Sequence, residues 1–181
     1  VQKKLLIGLS VILIGLGAFA AVVEMQPAEF RIARSIVVKA PPEKIFPLVN
    51  NLHEVAQWSP WNQYDPNMKK SFAGPEEGVG ASQSWEGNDK VGVGKMTILE
   101  SEPPRKVRLK LEFLKPMQCT NEAAYTLIPT KDGDTEVEWA MTGSKAFVQK
   151  AFCMFMDMDK MVGPDFERGL ANLKASIEST R

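Results

Sequence analysis

Residues 106–113 read Lys-Val-Arg-Leu-Lys-Leu-Glu-Phe, charged and apolar side chains in strict alternation. Residues 136–141 repeat the pattern, with Val137, Trp139 and Met141 set against Glu136, Glu138 and Ala140. Successive strand residues point to opposite faces, so each stretch is a strand with one face buried and one in water. Outward from these two, strand-like segments cover about 68–73, 81–86, 92–101 and 118–128. Turn residues separate them: Gly74-Pro75, Gly87-Asn88-Asp89, Pro103-Pro104, Lys115-Pro116 and Asp132-Gly133-Asp134. Half-buried strands joined by tight turns predict an antiparallel sheet.

Before this block, Phe30, Ile32, Ile36 and Val38 alternate in a further strand, with Arg34 on the same face. Proline near a helix start costs little, because its missing N–H would be unpaired there anyway. A helix therefore begins near Pro42, carries the apolar stripe Ile45, Phe46, Leu48, Val49 and Leu52, and breaks at Asn50-Asn51. A second short helix or turn covers 52–57. After the sheet, residues 150–179 read as helix, with Val148, Phe152, Phe155, Met158 and Val162 and then Phe166, Leu170, Leu173 and Ile177 at helical spacing. Pro164 predicts a fresh turn or a kink. The order is one strand, two short helices, six antiparallel strands and a long helix, an α+β chain.

The first residues differ in kind. Residues 5–23 carry no charge, and Ser10 is their only polar side chain. Such a helix is about 28 Å long, close to the thickness of a bilayer's hydrocarbon core. Residues 1–4 form a cytoplasmic stub, 5–23 a transmembrane signal anchor and 24–29 a linker. A globular domain follows over 30–181. Lys3 and Lys4 put the N-terminus in the cytoplasm and export the domain to the periplasm or the cell exterior. The competing reading is a cleaved signal peptide and secretion, on the small-x-small pattern Ala18-Phe19-Ala20.

The chain has 22 basic and 22 acidic residues among 181. Such a balance argues against a nucleic-acid partner. Beyond residue 23, 20 basic residues face 22 acidic ones, so the domain has no bulk attraction to anionic lipid. Export permits a disulfide, but Cys119 and Cys153 both lie beside apolar residues and read as buried free thiols.

Chemical motifs are scarce. His53 is the only histidine, so no two-histidine zinc site exists and no metal or cofactor is expected. Gly92-Val93-Gly94-Lys95 fails as a phosphate loop, with Asp89 where glycine is needed and Met96 where a hydroxyl is needed. Gly78-Val79-Gly80 fails as a dinucleotide loop, with Gln83 at the third glycine position. Arg105, Lys106, Arg108 and Lys110 read as the solvent face of a strand. No residue is assigned a catalytic role.

Four stretches together resemble the START-like (SRPBCC) superfamily, in its polyketide cyclase/dehydrase and lipid-transport branch. They are Ile36 to Phe46, Trp58-Ser59-Pro60-Trp61, Gly78-Val79-Gly80 leading into Trp85-Glu86-Gly87, and Asp159 to Glu167. The resemblance implies a helix-grip fold: a curved seven-stranded antiparallel sheet around a long C-terminal helix, with an apolar cavity between them. A bent sheet packed on one helix leaves unfilled apolar space, which is a ligand pocket. Alternation turns Trp85, Phe113, Tyr125 and Trp139 inward with Phe166 and Leu170, and places Met96, Trp58 and Trp61 near the rim. These nine residues are the expected cavity lining, for a hydrophobic small molecule or lipid. Three functions stand: a membrane-anchored binding module without catalysis, a cyclase/dehydratase-type enzyme, or an envelope interaction domain with a filled core. The enzyme would need an inward acid or base, and Tyr125, Asn121 and Arg34 are the inward polar candidates.

Overall fold

A computed structural model describes residues 2–179, apart from the side chains of residues 2–7, 9, 11 and 152. The chain divides into two compact units, Val1–Phe30 with Ser144–Met158, and Arg31–Gly143 with Asp159–Arg181.

The first unit holds α1 (Gln2–Glu24) and the later short helix Phe147–Cys153. Lys150 Nζ donates to the Glu24 carbonyl at 3.2 Å and to Glu24 Oε2 at 3.1 Å, and the Lys145 N–H donates to the Ala28 carbonyl. Among the described residues no helix is long and apolar enough to cross a membrane. The expected span over 5–23 falls partly on side chains outside the described residues. Its described apolar side chains are largely exposed, Ile14 at 72%.

The second unit is built on β1 (Glu29–Val38), α2 (Pro42–Asn50), α3 (Leu52–Trp58), a 3-10 turn at Pro60–Gln63, and then β2 (Lys69–Ala73), β3 (Ser82–Glu86), β4 (Val93–Glu102), β5 (Lys106–Lys115), β6 (Cys119–Pro129) and β7 (Thr135–Ser144). The strands form one sheet in the order β1-β7-β6-β5-β4-β3-β2. Neighbours from β2 to β7 pair antiparallel. α2 and α3 carry the chain from one edge of the sheet to the other. Asn51 sits between them: its N–H closes α2 on the Pro47 carbonyl, and its side chain accepts the His53 N–H that opens α3. Ladder shifts at Val93/Gly94 and Ile98/Glu100 bend β4, as bulges do.

Beyond β7 lie α4 (Phe147–Cys153) and α5 (Met158–Glu178). The sequence pattern predicts one helix from about 150, interrupted at Pro164. The interruption lies instead between α4 and α5, and Pro164 falls inside α5. Asp159 occupies the first turn of α5, where a carboxylate is favoured by the helix dipole and marks the start better than the proline does.

α5 lies against the inner face of the sheet, and two glycines let it approach. A side chain at Gly169 would meet the Trp139 ring at 2.7 Å and Pro60 at 3.1 Å. One at Gly163 would overlap the Arg34 guanidinium. That guanidinium donates to both Asp159 oxygens at 2.8 and 2.9 Å and to Glu167 at 2.7 Å, clamping β1 to the start of α5. The outer face of the sheet carries the basic cluster in ion pairs. Arg108 bridges Glu100 and Glu122, and Lys110 pairs with Glu112. Cys119 and Cys153 are free thiols, but each is only partly buried, a correction to their expected burial.

Candidate functional site

Beyond the Leu127–Val137 pair, strand register sorts the inner face into four rows. Val107, Tyr125 and Trp139 face one another across β5, β6 and β7. Ile98, Leu109, Ala123 and Met141 form the next row. Phe72, Gln83, Met96, Leu111 and Asn121 form the third. Lys70, Trp85, Gly94, Phe113 and Cys119 form the fourth.

The first two rows are packed solid. Trp58 lies edge-on to Tyr125 and Trp139, at 5.7 and 5.6 Å between ring centroids. Trp61 lies edge-on to Trp139 at 5.6 Å and to Phe166 at 6.4 Å. Leu170, one turn after Phe166, is fully buried. Trp58 is therefore not a rim residue: it is 4% exposed, and its indole N–H donates to the Leu48 carbonyl at 3.0 Å. Trp61 is half-buried. Six of the nine expected residues thus gather at one end of the inner face.

The remaining three stand in the third and fourth rows, Met96 in the third and Trp85 and Phe113 in the fourth. Trp85 meets Phe113 edge-on at 5.8 Å. Met96, Leu111 and Phe113 all point inward yet remain half-buried. This apolar end is less completely covered than the ring cluster.

Polar groups interrupt it at a few points. Asn121 is buried, and its amide N–H donates to the Met141 sulfur at 4.0 Å. Tyr125 is buried in the ring cluster, and loss of solvent pushes its phenol far above the ordinary range. Lys70 Nζ donates to Asn62 Oδ1 at 2.5 Å and to the Ala56 carbonyl at 3.3 Å, and burial lowers its pKa. Arg34 is raised by its hydrogen bonds to Asp159 and then Glu167. Gln83 is 4% exposed, and among the described residues its Oε1 accepts no hydrogen bond. Lys70 and Gln83 were not among the expected inward polar groups, although alternation from Phe72 and Trp85 puts them on that face.

A cleft of about 360 Å³ lies beside the third row, between α3 and the loop joining β2 to β3. Leu52, His53, Phe72, Gly74, Pro75 and Ser82 line it. The His53 imidazole stacks on Phe72, with centroids 3.7 Å apart and planes 19° from parallel. None of the nine expected cavity residues borders this cleft. Among the described residues no three metal-binding side chains gather.

The chain is similar to solved structures that share its architecture. A protein of Nitrosospira multiformis matches at 22% identity and TM-score 0.60, over 84% of this chain and 100% of its own. A protein of Mesorhizobium loti matches at 17% identity and TM-score 0.61, over 84% and 99%. DynU16, described as a putative protein in the dynemicin biosynthetic locus, matches at 15% identity and TM-score 0.57, over 83% and 48%. At these identities the likeness is one of fold. No curated protein matches the chain. The match that spans sheet and C-terminal helix together runs over residues 29–178, and by it the chain belongs to the polyketide cyclase/dehydrase and lipid transport family.

Proposed function

We propose that this protein is a membrane-anchored binding module that holds a hydrophobic ligand or lipid against the inner face of its sheet, without catalysis. The observation that carries this reading is the half-buried apolar end formed by Met96, Leu111 and Phe113 beside Trp85. Apolar surface on a concave face is what such a ligand covers. The family is compatible with that role. Catalysis of the cyclase/dehydratase type would need an inward group that titrates near neutrality. The Tyr125 phenol is pushed the wrong way by burial, and Lys70 and Arg34 are engaged by other residues.

The uncharged run over 5–23, with Ile12, Leu13, Ile14 and Leu16 exposed, supports a bilayer anchor. Lys3 and Lys4 then favour a cytoplasmic N-terminus and an exported domain. Cleavage after residue 20 would give a secreted form.

Native mass spectrometry of the full-length protein, gently extracted from membranes, tests both parts. A stoichiometric apolar adduct supports the carrier, and an intact mass that includes residues 1–23 supports the anchor. A protein that carries no adduct and binds no fatty-acid probe sinks the carrier. It would favour the second reading, an interaction domain with a filled core, for which the packed rings around Trp139 speak.

A further inference from the structure

Residues 146–156 read Ala-Phe-Val-Gln-Lys-Ala-Phe-Cys-Met-Phe-Met, with Lys150 as the only charged side chain. They form α4 and the turn after it, in the same compact unit as α1. Their polarity is inverted for a helix in water. Lys150 is buried, and its ammonium pairs with the Glu24 carboxylate and donates to the Glu24 carbonyl. The large apolar side chains point outward instead. Val148 is 67% exposed and Phe155 79%, and Phe147, Met154 and Met156 are exposed around them. A helix in water turns its lysine out and its apolar stripe in. Exposed apolar side chains gathered in one segment mark a contact surface.

Glu24 identifies what covers that surface. It follows directly on the uncharged run over 5–23, and in a bilayer such a run ends at the boundary between hydrocarbon and head groups. The Lys150 bonds to Glu24 hold α4 at the same depth. They also neutralise the one charge in 146–156, so the outward face offers lipid chains no charge to desolvate.

We propose that α4 and the turn after it form a second membrane contact, an apolar foot that lies in the bilayer interface with Val148 and Phe155 among the lipid chains. This inference rests on the anchor reading and adds an interfacial segment to the span. The contact is apolar rather than electrostatic: with Lys150 engaged by Glu24, it needs no anionic lipid.

The test uses the full-length chain in nanodiscs of phosphatidylcholine, a lipid without net charge. Nitroxide labels are attached one at a time through Leu13→Cys in the uncharged run, Val148→Cys, Phe155→Cys and, as the aqueous reference, Asp132→Cys in the β6–β7 turn. Every chain also carries Cys119→Ser and Cys153→Ser. All four labelled positions are exposed, so the labels displace no core contact. Electron paramagnetic resonance compares collisions with oxygen, which concentrates in lipid, and with a water-soluble nickel chelate. The ratio of oxygen to nickel collisions should be several-fold higher at 13, 148 and 155 than at 132. A lipid signal at 13 with a water signal at 148 or 155 overturns the foot and leaves the anchor standing. A water signal at 13 overturns the anchor, and with it the inference that rests on it. Dipolar broadening between labels at 155, the mark of a second copy against this face, overturns the lipid assignment.

Discussion

Phe166 on α5 lies flat on the Trp139 indole of β7, ring centroids 4.1 Å apart and planes 4° from parallel. This stack joins the C-terminal helix to the sheet, and the ring cluster grows around it. Trp58, Trp61 and Tyr125 each touch the same indole.

Trp139→Ala should therefore destabilise the domain by about 3–5 kcal/mol, the usual cost of emptying a large buried ring site. Urea denaturation followed by far-UV circular dichroism measures it. A change below about 1 kcal/mol would mean that the rings repack around the gap.

Gly169→Ala sets two effects against each other. Alanine favours a helix interior by about 1 kcal/mol. The added methyl would meet the Trp139 ring and Pro60 inside ordinary contact distance. Overpacking of this kind costs about 1–3 kcal/mol, so the net effect should be a loss of stability. A thermal melt that moves upward would show that the stack yields easily.

The Arg34 clamp should give the stability a pH dependence. Its hydrogen bonds to Asp159 hold that carboxyl below its ordinary value of 3.8. A carboxyl that is more acidic in the folded chain adds stability that is fully present above its unfolded value. That contribution is lost as pH falls through the lower folded value. Urea midpoints should thus drop below about pH 4, and Arg34→Gln should flatten that part of the profile. Parallel profiles for parent and variant would remove Asp159 from the account.

Charge changes on the two faces of β5 should separate binding from mere surface change. Leu111→Lys puts an ammonium on the inner apolar end and should weaken binding of an uncharged apolar probe by about tenfold or more, the effect of desolvating one charge. Lys110→Gln on the outer face breaks the pair with Glu112 and should leave binding unchanged. Equal effects from the two would place the ligand elsewhere.

Much of the fold could be read residue by residue. Alternation in residues 106–113 and 136–141 assigns Val107, Leu109, Leu111, Val137, Trp139 and Met141 to the inner face, and register confirms it. Turn chemistry marks the strand ends to within a residue or two. The Asn50-Asn51 break is also local, because Asn51 serves as cap to both neighbouring helices. The candidate site was less legible. Trp58 reads as a rim residue, because nothing near it in sequence announces that its indole will bond to Leu48 and pack on Tyr125 and Trp139. His53 counts in the sequence only as a lone histidine, and only the approach of β2 gives it Phe72 as a partner.

The sequence by itself determined the strand periods, the faces they present, the helix start at Pro42 and the uncharged run at 5–23, because each depends on bonds and spacings within a few residues. Tertiary structure alone decided which inward rings fill the core and which stay half-covered. It also decided that Arg34 would find its carboxylates 125 and 133 residues away, and that Gln83 Oε1 would be left without a donor among the described residues. Those outcomes depend on which distant segments meet, and no local spacing encodes the space that remains once sheet and helix have closed on each other.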